Sequence, residues 1–245
     1  MRINKFLRDS GVTSRRGADE MILSGRVSVN GQKITTPGIE VDPDRDTVTM
    51  DGKTVRPHEE RYVILFSKPC NVTTTLSDPH AEKTVADYFR DFPVRLFPVG
   101  RLDADTSGLL IMTNDGDLAY QLTHPKFEKT KTYLVNCEGI LKNQDIERLR
   151  KGIRLEDGWT LPAVVTNIHF KKTQSTLEIT IREGRNRQIR RMFDAIGHPI
   201  IHLRRIAIGS LCLPGMEDGA WRILTHDEIR LLRTAPSYRN KKNQG

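Results

Sequence analysis

The residues with the clearest chemical potential lie in FPVGRLDADTSGLLIMTNDGDLA, residues 97 to 119. Gly100 and Gly108 bracket a tight loop that packs Arg101, Asp103, Asp105, Thr106 and Ser107 against the apolar run LLIMT. A polar loop entering a buried strand holds its side chains rigidly, which is how active-site groups are often placed. A carboxylate there can attack an electrophilic carbon or stabilise positive charge developing on it. An Asx-turn accounts for Asp103 or Asp105 equally well on local grounds. A metal site is disfavoured, because two Asp without a nearby His or Cys make an incomplete ligand set. A second candidate group is EGRNRQIRRM, residues 183 to 192. Read as a helix, it buries Ile189 and Met192, and Arg187 and Arg191 at i and i+4 share another face. Arg185, Arg187 and Arg191 can then contact phosphates, although a solvated charged surface has the same pattern. Tyr133, in KTKTYLV, can stack on a base or simply fill a core.

These groups need elements to position them. YVILFSK, LLIMT, TYLVNCEG and LEITI read as strands, with NDGD as a turn. KTVADYF, DLAYQLTH, QDIERLRKG ending at Gly152, RQIRRMFDAIG ending at Gly197, and THDEIRLL read as helices. The last opens with Thr225 and Glu228 at capping-box spacing. Mixed order with hairpin-like pairs indicates an α+β fold with a mainly antiparallel sheet. Ahead of this lies a smaller unit. Ile3, Phe6 and Leu7 share a helical face, Ser14 can cap a second helix, and Asn30-Gly31 fits a tight hairpin turn within RVSVNGQKI. Domain boundaries are expected at 1–57, a linker at 58–61, a larger domain at 62–235 and a basic disordered tail at 236–245.

The totals agree with a nucleic-acid partner. The 245 residues carry 39 Lys and Arg against 31 Asp and Glu, a net charge of +8, which favours a polyanion. Arg2, Lys5, Arg8, Arg15, Arg16, Arg26 and Lys33 crowd the first stretch. Cys70, Cys137 and Cys212 are scattered, so neither a metal cluster nor a disulfide framework is indicated, and a reducing cytoplasm is the expected setting. MRINKFLRDSG lacks the apolar segment of a signal peptide, and no apolar run is long enough to span a bilayer. The absence of a P-loop or GxGxxG pattern points away from nucleotide cofactors.

The run G-R-L-D-x-D-T-x-G-L-L at residues 100 to 110 resembles the RsuA/RluB-type ribosomal RNA pseudouridine synthases, closest to the large-subunit RluB-like branch. Lys68-Pro69, Lys131-Thr132-Tyr133 and EGRNRQIRRM match the same family in order. K-F-L-x-x-S-G-V-x-S-R-R followed by G-R-V-x-V-N-G resembles the S4 RNA-binding domain. One departure is Cys70-Asn71 after Lys68-Pro69, where many relatives have a residue and then Gly, which puts the local turn in question. The resemblance implies that a uridine is isomerised to pseudouridine without cofactor or metal, the base being flipped out of its stack. It makes Asp103 the catalytic carboxylate, Arg190 its fixed cationic partner in a site that excludes water, and Tyr133 the aromatic against the base. Asp105 is left a structural role on backbone amides. RNA contacts are expected from Arg101, Arg185, Arg187 and Arg191, and from Lys5, Arg15, Arg16 and Arg26 in the N-terminal domain. The implied substrate is large-subunit 23S ribosomal RNA. A small-subunit 16S target, or a non-catalytic assembly factor of the same fold, is the alternative. The expected state is a monomer acting on ribosomal RNA or a pre-ribosomal particle, away from membranes.

Overall fold

The computed structural model describes residues 1 to 234; the expected basic tail, 236–245, lies outside the described residues. The chain forms two compact units. The first is Met1–Tyr62 with Arg90–Phe97 and Thr113–Gly116, and the second is Val63–Phe89, Pro98–Met112 and the chain from Asp117 onward.

In the first unit, helices α1 (Ile3–Asp9) and α2 (Arg15–Leu23) pack on a four-stranded sheet. Ser14 caps α2 by accepting from the Gly17 amide at 3.1 Å, satisfying a donor that a helix start leaves orphaned. Ile3, Phe6 and Leu7 from α1 meet Ala18 and Ile22 from α2 in a closed apolar core with Val27, Val41 and Val48. Strands β1 (Val27–Val29) and β2 (Gln32–Ile34) form the expected hairpin, with Asn30 and Gly31 both at positive φ, 51° and 80°. A second hairpin, β3 (Val48–Met50) and β4 (Lys53–Val55), turns on Asp51-Gly52 with φ of 50° and 79°. Both turns are of the kind that matches strand twist, and β1 joins β3 to complete the sheet.

The stretch expected as a linker is instead bound into this unit. The His58 amide donates to the Asp9 carbonyl at 2.9 Å. The Tyr62 amide donates to Asn114 Oδ1, and Asn114 Nδ2 to the Glu60 carbonyl, both at 2.8 Å. Polar composition here reflects side chains at the surface rather than a free backbone.

The second unit is built on one mixed sheet. Its strands in chain order are β5 (Val63–Lys68), β6 (Phe97–Val99), β7 (Ser107–Thr113), β8 (Lys131–Glu138), β11 (Val164–Lys171), β12 (Gln174–Ile181), β13 (Ile200–Ile208), β14 (Leu211–Cys212) and β15 (Trp221–Ile223), with β9 (Arg154–Leu155) and β10 (Gly158–Trp159) as a separate small hairpin. The main order is β11-β12-β8-β13-β7-β5-β15, with β14 on β13 and β6 on β7. The β11-β12-β8-β13 ladders are antiparallel, and β13 runs parallel to β7. β7 is buried along its whole length, the mark of a central strand covered on both faces. Helices α3 (Gly116–Thr123), α4 (Asn143–Lys151), α5 (Gln188–Asp194) and α6 (His226–Arg233) complete the unit. Thr225 and Glu228 form the expected capping box on α6. The expected helix at KTVADYF is a single 3₁₀ turn, Val85–Tyr88. Among the described residues no helix is long and apolar enough to cross a membrane.

Candidate active site

The loop between β6 and β7 is anchored at both ends before it presents any charge. Gly100 enters with φ of 72°. Leu102 is buried, and its backbone is gripped from both sides by Thr74, whose Oγ1 donates to the Leu102 carbonyl at 2.6 Å and accepts from its amide at 3.3 Å. The Thr106 amide closes the turn by donating to the Asp103 carbonyl at 3.0 Å. Asp103 therefore rides on a backbone that cannot swing freely, while its carboxylate remains open, with 35% of the side chain exposed.

Lys68 reinforces this placement. It is fully buried at the end of β5, and its Nζ donates to the carbonyls of Val72 at 2.7 Å, Pro69 at 2.8 Å and Ala104 at 3.4 Å. Burial lowers its pKa to about 8, against the opposing pull of nearby acidic groups including Asp105 and Asp103. The turn questioned at Cys70-Asn71 is intact. Asn71 sits at φ of 61°, a conformation Asn tolerates better than most residues, and its amide donates to the Ala104 carbonyl at 2.7 Å.

Asp103 and Tyr133 line one cavity of about 820 Å³, a size suited to a nucleotide-scale ligand. Tyr133 is 8% exposed and lies on the same face of β8 as Val135 and Cys137. The lining is strongly basic. Among the described residues it holds Arg101, Lys129, Lys131, Arg182, Arg185, Arg187, Arg190 and Arg205 with three carboxylates, Asp103, Glu128 and Glu183. Such a concave cationic surface concentrates phosphate-bearing ligands.

The structure redistributes the arginines. Arg190 does not pair with Asp103. Its Nε lies 3.2 Å from Asp105 Oδ2, and its Nη2 donates to the Asp105 carbonyl at 2.8 Å. The guanidinium nearest Asp103 is that of Arg187, with Nη1 3.9 Å from Oδ2; it also binds Asp105 through Nη2 at 3.2 Å. The cause is local. Arg187 is the left-handed N-cap of α5, φ 46° and ψ 31°, so its side chain leaves in a different direction from the helix that follows. Arg187 and Arg191 consequently do not share a face. Arg191 forms two 3.0 Å bonds to Asp157, whose pKa is lowered first by that contact and also by Arg185. Arg185 is engaged by Glu183 at 3.0 Å and by Asp157. Asp105 is thus an acceptor for Arg187 and Arg190, and among the described residues no backbone amide donates to its carboxylate. Arg101 is exposed at the cavity.

In the first unit, Arg15 and Arg16 are exposed at the start of α2, and Lys5 lies half-buried on α1. Arg26 differs from the expected open phosphate contact, because Asp51 grips it through both oxygens at 2.9 and 2.5 Å.

Sequence reasoning missed Arg205 and passed over Lys131 as part of a motif. Both line the cavity. The available signal was IIHLRRIAIG, whose alternation marks a strand and places an Arg on its apolar face.

Comparison with known proteins identifies the family. Residues 62–195 match the RNA pseudouridylate synthase family and residues 1–46 the S4 domain. An uncharacterised RNA pseudouridine synthase from Aquifex aeolicus is 44% identical over 233 residues, covering 95% of this chain and 93% of that protein. The ribosomal large subunit pseudouridine synthase B of Bacillus subtilis is 44% identical over 234 residues, covering 95% of both chains. A crystal structure of a pseudouridylate synthase superposes with a TM-score of 0.67 at 29% identity, covering 95% of this chain and 99% of that one. With its loop-borne carboxylate in a basic cavity, the chain belongs to the RNA pseudouridylate synthase family and carries an S4 domain at its N-terminus.

Proposed function

We propose that the protein isomerises one uridine of large-subunit ribosomal RNA to pseudouridine, with Asp103 as the reacting carboxylate. The observation that carries this reading is the shared cavity of Asp103 and Tyr133 in a chain 44% identical to a large-subunit synthase over 95% of its length. The reaction breaks C1′–N1, rotates the base and joins C1′ to C5. Substrate and product are isomers, so the chemistry requires a group that handles positive charge at C1′ and one that takes the C5 proton. Asp103 serves the first need. Tyr133 faces the base and serves the second. A cavity that encloses the reacting base requires it to leave its stack.

The test maps pseudouridines in ribosomal RNA from cells lacking the protein, complemented with wild type or Asp103→Asn. Loss of one large-subunit site, restored only by wild type, is the expected result. A lost small-subunit site would move the substrate while keeping the reaction. No lost site would replace the enzymatic reading with an assembly role.

The S4 domain supplies docking in this proposal. Residues 1–62 share their unit with 90–97 and 113–116, so point variants probe docking more cleanly than truncation. Arg15→Ala with Arg16→Ala should weaken RNA binding about tenfold and flatten its salt dependence by one to two phosphate contacts, roughly −0.7 to −0.9 in slope each. Single-turnover rates at saturating protein should be unchanged. Equal affinity and slope, read by filter binding across a salt series, would remove these arginines from the interface.

A further inference from the structure

Among the described residues Arg205 is a buried cation without a counter-charge. It is 3% exposed and forms no ion pair with a described residue. Its Nε donates to the Leu109 carbonyl at 2.7 Å, but Nη2 has no hydrogen-bond partner although it is shielded from solvent. Buried donors are almost always satisfied, whereas this guanidinium is short of acceptors and belongs to a residue that lines the cavity. The register fixes where it sits. Arg205 on β13 is directly opposite Tyr133 on β8 and beside Gly108 on β7. Opposed residues of an antiparallel pair project from the same face, and both line the cavity with Asp103. Lys131 lies on the same face two residues before Tyr133 and also lines the cavity. Burial, and secondarily the Arg205 charge, lower its pKa to about 8. Two cations thus stand together on the cavity wall, both less exposed than Arg101 and Arg187.

Resting on the uridine-isomerase reading above, we infer that Arg205 is a further catalytic residue: its guanidinium donates to a carbonyl oxygen of the target uracil and stabilises the negative charge the base acquires when C1′–N1 breaks, with Lys131 adding to the field. The electron pair of the broken bond passes to the uracil ring and spreads over N1, O2 and O4. C1′ is held by Asp103. C5 then attacks C1′ and releases the Asp103 carboxylate, the C5 proton leaves to a base and N1 takes up a proton, while Arg205 keeps all its protons. A fixed donor in a low-dielectric site is most effective where charge develops only during reaction.

The test uses the full chain and a ribosomal RNA fragment containing the mapped uridine, with Arg205→Met and Arg205→Lys. Arg205→Met should slow single turnover by about 10²- to 10³-fold, as loss of an oxyanion donor does, with RNA affinity changed less than about threefold. Arg205→Lys should recover part of that loss. Placing 2-thiouridine or 4-thiouridine at the target weakens one acceptor at a time. The contacted position should slow wild type by about tenfold or more relative to Arg205→Met, whose contact is already gone. If Arg205→Met does not fold, the same comparison with Arg205→Lys decides. Equal rates for wild type and both variants, or a loss of affinity and salt slope without a loss of rate, would overturn the inference, the latter indicating a phosphate contact. If wild type isomerises no uridine, the functional reading itself fails.

Discussion

Asp103→Asn should abolish pseudouridine formation, lowering the single-turnover rate by about 10⁴-fold or more, the scale on which loss of a reacting group is felt. The amide is nearly isosteric, yet it offers no negative charge to C1′ and is a poor nucleophile. Stability should barely change. The Asp103 side chain is 35% exposed, and its nearest cation, Arg187, is 3.9 Å away and itself half exposed. Such exposed pairs contribute about 0–1 kcal/mol. Backbone contacts from Asp103, Leu102 and Thr106 hold the loop independently of the carboxylate. RNA affinity should remain within about threefold, because phosphate contacts dominate binding. Single-turnover kinetics with a parallel binding isotherm check both halves. Substantial turnover by the variant would remove Asp103 from the chemistry, while a collapse of affinity would make it a binding residue.

Much of this arrangement is visible in the sequence because it depends on local pattern. The 3.6 period of Ile3, Phe6 and Leu7, the Ser14 and Thr225 caps and the Asn30-Gly31 turn each have a short-range cause and appear where expected. The Asp51-Gly52 hairpin has the same cause and was available to the same reading. What was not legible is partner choice. Arg185, Arg187, Arg190 and Arg191 are indistinguishable as types, and a regular helix would group Arg187 with Arg191. The left-handed conformation at Arg187 breaks that grouping, sending one to Asp105 and the other to Asp157. Arg205 was hidden for a related reason. Its importance arises from Tyr133 and Gly108 becoming its neighbours across strands more than 70 residues away in sequence. Lys68 appeared as half of a motif, but its three carbonyl partners exist only in the folded loop.

Gly108→Ala should cost about 3–5 kcal/mol, in the range of severe backbone and packing lesions, and lower the melting temperature by roughly 10 °C for a chain of this size. Gly108 has φ of 103°, and a Cβ there would lie 2.2 Å from the Arg205 carbonyl oxygen and 2.8 Å from the Arg205 amide nitrogen. Neither atom is a flexible side-chain end, so relief requires β7 and β13 to move apart. Gly100→Ala is the control for conformation alone. It also has positive φ, 72°, but its nearest neighbour is the Thr123 methyl at 3.7 Å, so only the left-handed penalty of about 1–2 kcal/mol applies. The difference between the two variants isolates the close approach of the strands, and thermal unfolding of both measures it. Because β7 follows the Asp103 loop and β13 carries Arg205 beside Tyr133, the same displacement should separate the two sides of the cavity. Gly108→Ala should therefore lose turnover even at temperatures where it remains folded, whereas Gly100→Ala should retain more of it. Equal destabilisation by the two substitutions would show that the strand contact is soft and that Gly108 is needed for its backbone angle alone.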